Sequence, residues 1–434
     1  MFSYSAADIV LIVIALGAVA LVPLAAPWVL ALLLVRLGWS YLWRRGIDRA
    51  IARGSVATAE AKLRRARVIA QWLVLPALQR SASMQLGNLL RQQERFEAAI
   101  AVYEEALARP GRGRAASIQQ AVLRNNLGLA LQAQSKFEDA ECEFLAAEAI
   151  WKERGARQAS RAVTLENLAE LRLERGQGEP AIAALRQAAA VRAELPERNR
   201  SKEIEVATRL ARVLEGQGGT GGHDAELERL WRTVLEFHTE SKGVTSPARI
   251  ESLAGLLRLC DRQKREDEYH ELFGEWIACR LAAPRTDAIE LAGERLRHCE
   301  RRLALGFSDE AEAAARALLT ELPSSAVEER VWAHQISGKA RAAMRNWNEA
   351  EAAYLRALEA EHGGQNLSGG RHVEVLIGLA EARTQRRQLL AAQETYEQAL
   401  AFLKANAPPD HPWIGWTEAQ LQRLWMPGIE ERPN

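Results

Sequence analysis

Apolar residues recur along this chain in a fixed local pattern: a small residue, an aromatic or large aliphatic residue four positions on, and a small or apolar residue three further. Ala99, Tyr103 and Ala106 form one such triplet, and Ala140/Phe144/Ala147, Ala181/Leu185/Ala188, Ala350/Tyr354/Ala357 and Ala392/Tyr396/Ala399 repeat it. Ala59/Leu63/Ala66 begins the series, while the more divergent Leu227/Trp231/Val234, Tyr269/Phe273/Trp276 and Ala311/Ala315/Leu318 fill its middle. Spacings of four and three place each triplet on one face of an α-helix. The leading residues of the nine triplets lie 39 to 46 positions apart. A period that regular predicts stacked supersecondary units, each burying its apolar stripe against the next.

Each triplet is preceded by a further helical stretch that often carries Leu-Gly or Leu-Ala, as in Leu86-Gly87, Leu127-Gly128, Leu168-Ala169, Leu210-Ala211 and Leu379-Ala380. Leu90, Leu131 and Leu214 follow the small residue by three positions, on the same face. The small residues let the two helices of a hairpin approach closely. Phe96, Phe137, Trp347 and Leu389 fall near the turn between the helices and are placed to plug the end of each hairpin.

These residues resemble the tetratricopeptide repeat, with its Leu-Gly in the first helix and its Ala, aromatic, Ala triplet in the second. The period is longer than the usual value of about 34 and is similar to that of kinesin light chain. Arg124-Asn125-Asn126-Leu127-Gly128, Glu166-Asn167-Leu168-Ala169 and Pro408-Pro409-Asp410-His411-Pro412 share that flavour. The resemblance spans residues 40–412 and is weakest over 205–320. It implies an all-α, right-handed superhelical solenoid of about nine hairpins, with the first helices lining a concave surface. Asn88, Arg91, Asn125, Asn126 and Asn167 fall near the faces that would point into that groove. A row of Asn side chains can grip the backbone of an extended peptide through paired donors and acceptors. The alternative is that they are solvated or bond neighbouring helices.

From Ile9 to Val35 there is no charged residue. At about 1.5 Å of rise per residue this run extends roughly 40 Å, enough to cross a hydrocarbon core of roughly 30 Å with some tilt. Arg36, Arg44, Arg45, Arg49 and Arg53 follow directly, with Trp39, Tyr41 and Trp43 where an aromatic belt would sit. Basic residues mark the cytoplasmic edge. Residues 1–39 are therefore expected to form a single-pass anchor in the cytoplasmic (inner) membrane, with the repeats on the cytoplasmic side. Pro23 and Pro27 either kink one helix or turn two halves into a re-entrant hairpin. Trp43–Ala52 reads as the first helix of the first repeat, and residues 413–434 as a capping helix, Trp413–Trp425, with a tail.

Apolar residues make up 48% and charged residues 26%, values ordinary for a folded chain. A net charge of +1 supplies no field to collect nucleic acid, so nucleic acid is not expected as a partner. Cys142, Cys260, Cys279 and Cys299 contain no CxxC pair and read as reduced, buried thiols. His270 and His298 lack the short ligand spacing of zinc sites, so no metal or cofactor is expected. Gly216–Gly222 follows a helix and has no Lys-Ser or Lys-Thr, which makes it a hairpin tip rather than a phosphate loop. The many Glu residues read as solvated helix faces, and no HExxH, GxSxG or paired-carboxylate pattern occurs. The expectation is a non-enzymatic, membrane-anchored scaffold or adaptor that binds a protein or extended peptide segment. The alternative is a regulatory or assembly factor acting on an enzyme complex at the bacterial inner membrane.

Overall fold

The computed structural model describes residues 56–425 apart from 73–75, 110, 112, 155–158, 196–198, 218–221, 242–245, 285–286 and 363–368. The expected membrane segment 9–35 and the expected helix Trp43–Ala52 lie outside the described residues. Among the described residues there are eighteen α-helices and no strand, and no helix is long and apolar enough to cross a membrane. The chain divides into two compact units at Phe237/His238.

The first unit contains α1 (Val56–Trp72), then the hairpins α2 (Pro76–Gln92) with α3 (Phe96–Leu107), α4 (Arg114–Ala133) with α5 (Phe137–Glu153), and α6 (Ala159–Glu174) with α7 (Gly178–Ala193). Next come α8 (Arg200–Gly216) and most of α9 (Asp224–Ser241). The predicted triplets fall on α1, α3, α5, α7 and α9, and all fifteen residues are buried. One core runs from Ala59 through Leu86, Tyr103 and Phe144 to Leu171, so each helix closes the apolar stripe of the one before it. Close approach is needed within each hairpin: a Cβ at Gly87 would lie 2.3 Å from the Tyr103 ring, and one at Gly128 would lie 2.7 Å from Phe144. The small residue and the aromatic are therefore one packing unit.

The second unit holds α10 (Pro247–Arg262) with α11 (Glu266–Ala282), α12 (Ala288–Ala304) with α13 (Ser308–Glu321), α14 (Val327–Ala343) with α15 (Trp347–His362), and α16 (Gly369–Gln385) with α17 (Leu389–Asn406). A last helix, α18 (Pro412–Arg423), packs on α17 and buries Ile414 and Thr417, with Leu424 buried just past its end. The triplets on α13, α15 and α17 are buried as expected. On α11 the expectation needs correction. Phe273 is buried, but the inward positions beside it belong to Leu272 and Cys279, and Tyr269 and Trp276 are only half-buried. The outer side of these rings is covered by cations instead of a neighbouring helix: the Arg301 guanidinium sits 3.9 Å from the Tyr269 ring centroid, and Arg280 sits 5.3 Å from that of Trp276.

Seven of the hairpins turn in the same way. In the first, the Arg95 amide donates to Leu90 O and the Glu94 amide to Arg91 O, both at 3.0 Å, with Glu94 at φ +60°. This pair of bonds closes a helix by a left-handed residue and satisfies its last carbonyls. The same pair, with the same left-handed backbone, occurs at Ser135, Gly176, Lys264, Gly306, Arg345 and Arg387. Phe96, Phe137, Trp347 and Leu389 begin the second helix two residues later and are half-buried at the hairpin end.

Two other expectations change. Cys142 is exposed, whereas Cys260, Cys279 and Cys299 are buried. The Glu residues are not uniformly solvated: Glu148, Glu312 and Glu351 are buried, each held by arginines. A Glu directly after the first triplet residue pairs with an Arg near the end of the next first helix, as in Glu141–Arg172, Glu312–Arg341 and Glu351–Arg383. Burial alone would raise the Glu312 carboxyl, but the guanidiniums of Arg341 and Arg316 hold it below its ordinary value.

Candidate functional site

In the first unit, α2, α4 and α6 lie in succession, and each carries amide side chains beside its Leu-Gly or Leu-Ala pair. Asn126 and Asn167 occupy equivalent places one repeat apart, and each reaches back to the preceding first helix. Asn126 Nδ2 donates to Asn88 Oδ1 at 3.1 Å, and Asn167 Nδ2 donates to Asn125 Oδ1 at 3.0 Å. Asn125 Nδ2 donates to Asn126 Oδ1 at 3.3 Å and joins the two links. The Tyr103 hydroxyl ends the chain, donating to Asn88 Oδ1 at 2.6 Å. The four asparagines predicted from the sequence are thus brought together into one directional row across three helices, bonding neighbouring helices as the alternative reading expects.

The members of the row differ in what remains available to a ligand. Asn125 is buried at 8% exposure, so it holds its neighbours rather than meeting a partner. Asn88, Asn126 and Asn167 are half-buried. Each amide nitrogen carries two hydrogens: the bonds above use one each from Asn126 and Asn167 and none from Asn88. The half-buried members of the row can therefore offer donors to a backbone carbonyl. Arg91 lies one turn beyond Asn88 on α2, beside the Tyr103 ring. Burial pushes the Tyr103 hydroxyl up to about 12 although Arg91 opposes it, so the hydroxyl remains a donor to Asn88 across the physiological range.

Two hollows flank the row. One of about 270 Å³ is lined by Val122, Asn125, Asn126, Trp151 and Val163. The other, about 260 Å³, lies along α6 and α8 beside Glu166, Leu173 and Arg209. Glu166 is held by Arg192 at 2.5 Å and faces Arg209 at 4.0 Å. Apolar wall, amide row and flanking ion pair together form a surface suited to an extended chain, which needs backbone contacts along its length and shallow recesses for alternate side chains.

Sequence reasoning missed Tyr103 as a polar participant, because its place in a core triplet masks the hydroxyl. It also missed Thr164 and Arg161. The Trp151 indole donates to Thr164 Oγ1 at 3.4 Å, and Arg161 donates to Glu148 at 2.7 Å, fixing one wall of the recess beside Asn125 and Asn126. No group of three or more His, Cys, Asp or Glu able to hold a metal ion occurs among the described residues. His270 Nδ1 and His298 Nε2 are 2.9 Å apart and the rings stack, while Cys260, Cys279 and Cys299 lie on three different helices.

Fold and surface together define an α-helical hairpin-repeat protein. Residues 82–115 match a family model described as Tetratricopeptide repeat, and that stretch contains Leu86-Gly87, Asn88, Arg91 and the Ala99/Tyr103/Ala106 triplet. No curated protein matches the sequence. Among solved structures, the chain is similar to the nearly identical TPR-like repeats of a protein described as a Podosopora anserina kinesin light chain. That match has 21% identity and a TM-score of 0.38, covering 47% of this chain and 95% of that one. The TPR2AB domain of yeast Sti1 in its pHSP90 complex matches at 16% identity and a TM-score of 0.30, covering 70% of this chain and 96% of that one. The apo form of RapI matches at 12% identity and a TM-score of 0.35, covering 63% and 90%.

Proposed function

We propose that this protein is a membrane-anchored scaffold that grips an extended segment of a partner protein along the first-helix row of its first unit, the concave side of the repeats. Residues 9–35 cross the inner membrane in this reading, and the repeats face the cytoplasm. The observation that carries it is the asparagine row: Asn88, Asn126 and Asn167 are pre-ordered by their mutual bonds, half-exposed, and spaced by successive helices. Pre-ordered amides lose little side-chain freedom on binding, so the cost of ordering falls on the partner alone. The membrane part rests on the uncharged run and on the five arginines that follow it.

Affinity capture of full-length protein from membranes tests the binding role, comparing the wild type with an Asn88→Ala/Asn126→Ala/Asn167→Ala variant. The wild type should recover a partner that the triple variant loses; equal recovery would remove the row from the binding surface. Topology is tested separately through Cys142, the exposed thiol. A membrane-impermeant maleimide should label it in inside-out vesicles and leave it unmodified in right-side-out ones. The opposite result would place the repeats outside the cytoplasm.

A further inference from the structure

The second unit carries a groove of a different chemistry. It lies between α14, α15, α16 and α18, has a volume of about 540 Å³, and is walled by Lys339, Tyr354, Glu374, Glu381, Trp413 and Trp416. The sequence builds it from glycine spacing. Gly338 on α14 and Gly378 on α16 both face the Tyr354 ring, where a Cβ would lie 2.6 and 2.4 Å away, so Tyr354 settles between the two helices as the floor. Trp413 and Trp416, three apart on α18, supply the rim. Trp416 is 37% exposed and meets the Tyr396 ring edge-on at 6.3 Å.

The polar groups are unequally matched. Glu374 accepts from Lys339 Nζ and from Gln335 Nε2, each at 2.6 Å, and is satisfied within the fold. Glu381 is an exposed residue on the groove wall and makes no ion pair or hydrogen bond with any described residue; partial desolvation of its carboxyl raises it above the ordinary value. The Tyr354 hydroxyl is likewise without a hydrogen bond among the described residues, on a side chain only 2% exposed. Burial and the charges of Glu381 and Glu374 both raise it, which keeps it neutral. The groove thus presents one unmatched anion, one unmatched hydroxyl and two indole rings, with its single cation already taken. An acidic or phosphorylated ligand would meet repulsion there.

We propose that this groove receives a lysine or arginine side chain from an extended segment of a partner protein, with Glu381 taking the cation and Trp413 and Trp416 flanking the stem. A carboxylate with no cation of its own can make a charge-assisted bond to an incoming guanidinium or ammonium, and indole rings attract cations while covering methylenes. A polypeptide fits better than a small cation because the groove continues. A second hollow of about 590 Å³ shares Pro412 and Trp413 with it and runs on past Phe402, Asn406 and His411. The surface is separate from the asparagine row and does not depend on it.

The test is a titration of full-length protein in detergent, labelled with 15N-tryptophan, against the peptide acetyl-Ala-Leu-Arg-Ala-Leu-amide and its citrulline twin. The Trp416 indole signal, assigned with Trp416→Phe, reports the site. The arginine peptide should shift that signal to saturation at a concentration at least tenfold below that needed by the citrulline peptide. Glu381→Gln should abolish the difference, and Glu418→Gln, outside the groove, should preserve it. Asn126→Ala/Asn167→Ala should also leave the titration unchanged, which separates this site from the first unit's surface. Equal response to both peptides, or an unaltered preference in Glu381→Gln, would overturn the assignment. So would binding that appears only after the residues beyond Trp425 are deleted, because the groove would then belong to the chain's own tail.

Discussion

Asn126 on α4 donates to Asn88 on α2 across 38 positions of sequence, and Asn125 beside it accepts from Asn167 on α6. Adjacent residues on one helix thus serve opposite neighbours, but they differ in burial. Losing the half-exposed Asn126 amide should cost less than about 1 kcal/mol, since water can replace its bonds. Truncating the buried Asn125 should cost about 1–2 kcal/mol, because its partners lose a bond that solvent reaches poorly. Urea unfolding of the two alanine variants measures both. Equal costs would mean that the two side chains share one structural role and that the binding assignment to Asn126 has no separate basis.

A second expectation concerns the paired small and aromatic residues. Gly87→Ala would place its methyl carbon 2.3 Å from the Tyr103 ring, so either the ring or the helix must shift. Overpacking of this kind costs about 1–3 kcal/mol. Adding Tyr103→Leu should recover part of the loss, because the clash is with the ring itself. A double variant no more stable than Gly87→Ala would show that the glycine serves the backbone and not the contact.

Much of this architecture was legible from the spacing of a few residues. Ala99, Tyr103 and Ala106 sit four and three apart because they share a buried helix face, and the period repeats because each face must be covered by the next hairpin. The asparagine row was legible for the same reason: its members sit beside the Leu-Gly or Leu-Ala pairs that fix each helix's register. What the spacing did not yield depends on contacts between residues far apart. Glu351 reads as one of many surface glutamates until Arg383, 32 positions away, is packed against it. Tyr269 and Trp276 match the triplet by type, but they are only half-buried, with Arg301 and Arg280 on their rings, and Leu272 and Cys279 take the inward positions. The groove at α18 needs four helices to come together, and no local pattern announces it.

The hairpin turns predict stabilising substitutions. Glu94, Ser135, Lys264, Arg345 and Arg387 all hold φ near +60°, a region that costs a side chain roughly 1–2 kcal/mol. Gly176 and Gly306 fill the equivalent place in two hairpins at no such cost. Lys264→Gly should therefore stabilise the protein by about 0.5–1 kcal/mol after the greater freedom of glycine in the unfolded chain is subtracted. Arg345→Gly should behave alike, whereas Gly306→Ala should be destabilising. Thermal unfolding midpoints check the signs, and a fall in midpoint for Lys264→Gly would mean that its side chain contributes more than its backbone strain removes.

Acid should weaken this fold from two directions, and the onset separates them. His298 is pushed down to about 4, first by burial and then by the nearby charges of His270, Arg302 and Arg301, with Glu310 opposing. His334 is also pushed down to about 4, by burial and then by Arg330 and Arg356. Below an ordinary histidine value of 6.5 the unfolded chain binds protons that these folded residues refuse, so stability is full above that value and declines as pH falls towards 4. The carboxylates act later. Hydrogen bonds from Arg186, Arg301 and Arg295 lower Glu226, Glu266 and Glu321, and Glu312 is lowered by its two arginines despite burial. Their contribution is present above the ordinary value of 4.5 and is lost as pH drops through the lowered values. The unfolding midpoint should therefore already decline between pH 7 and 5, by roughly 2–4 °C, and fall steeply below 4.5. His298→Asn should make the first phase shallower, the remainder belonging to His334, and leave the second intact, whereas Glu312→Gln should lower the midpoint at pH 7 and make the second phase shallower. A midpoint constant from pH 7 to 5 in the wild type would show that neither histidine is held neutral by the fold.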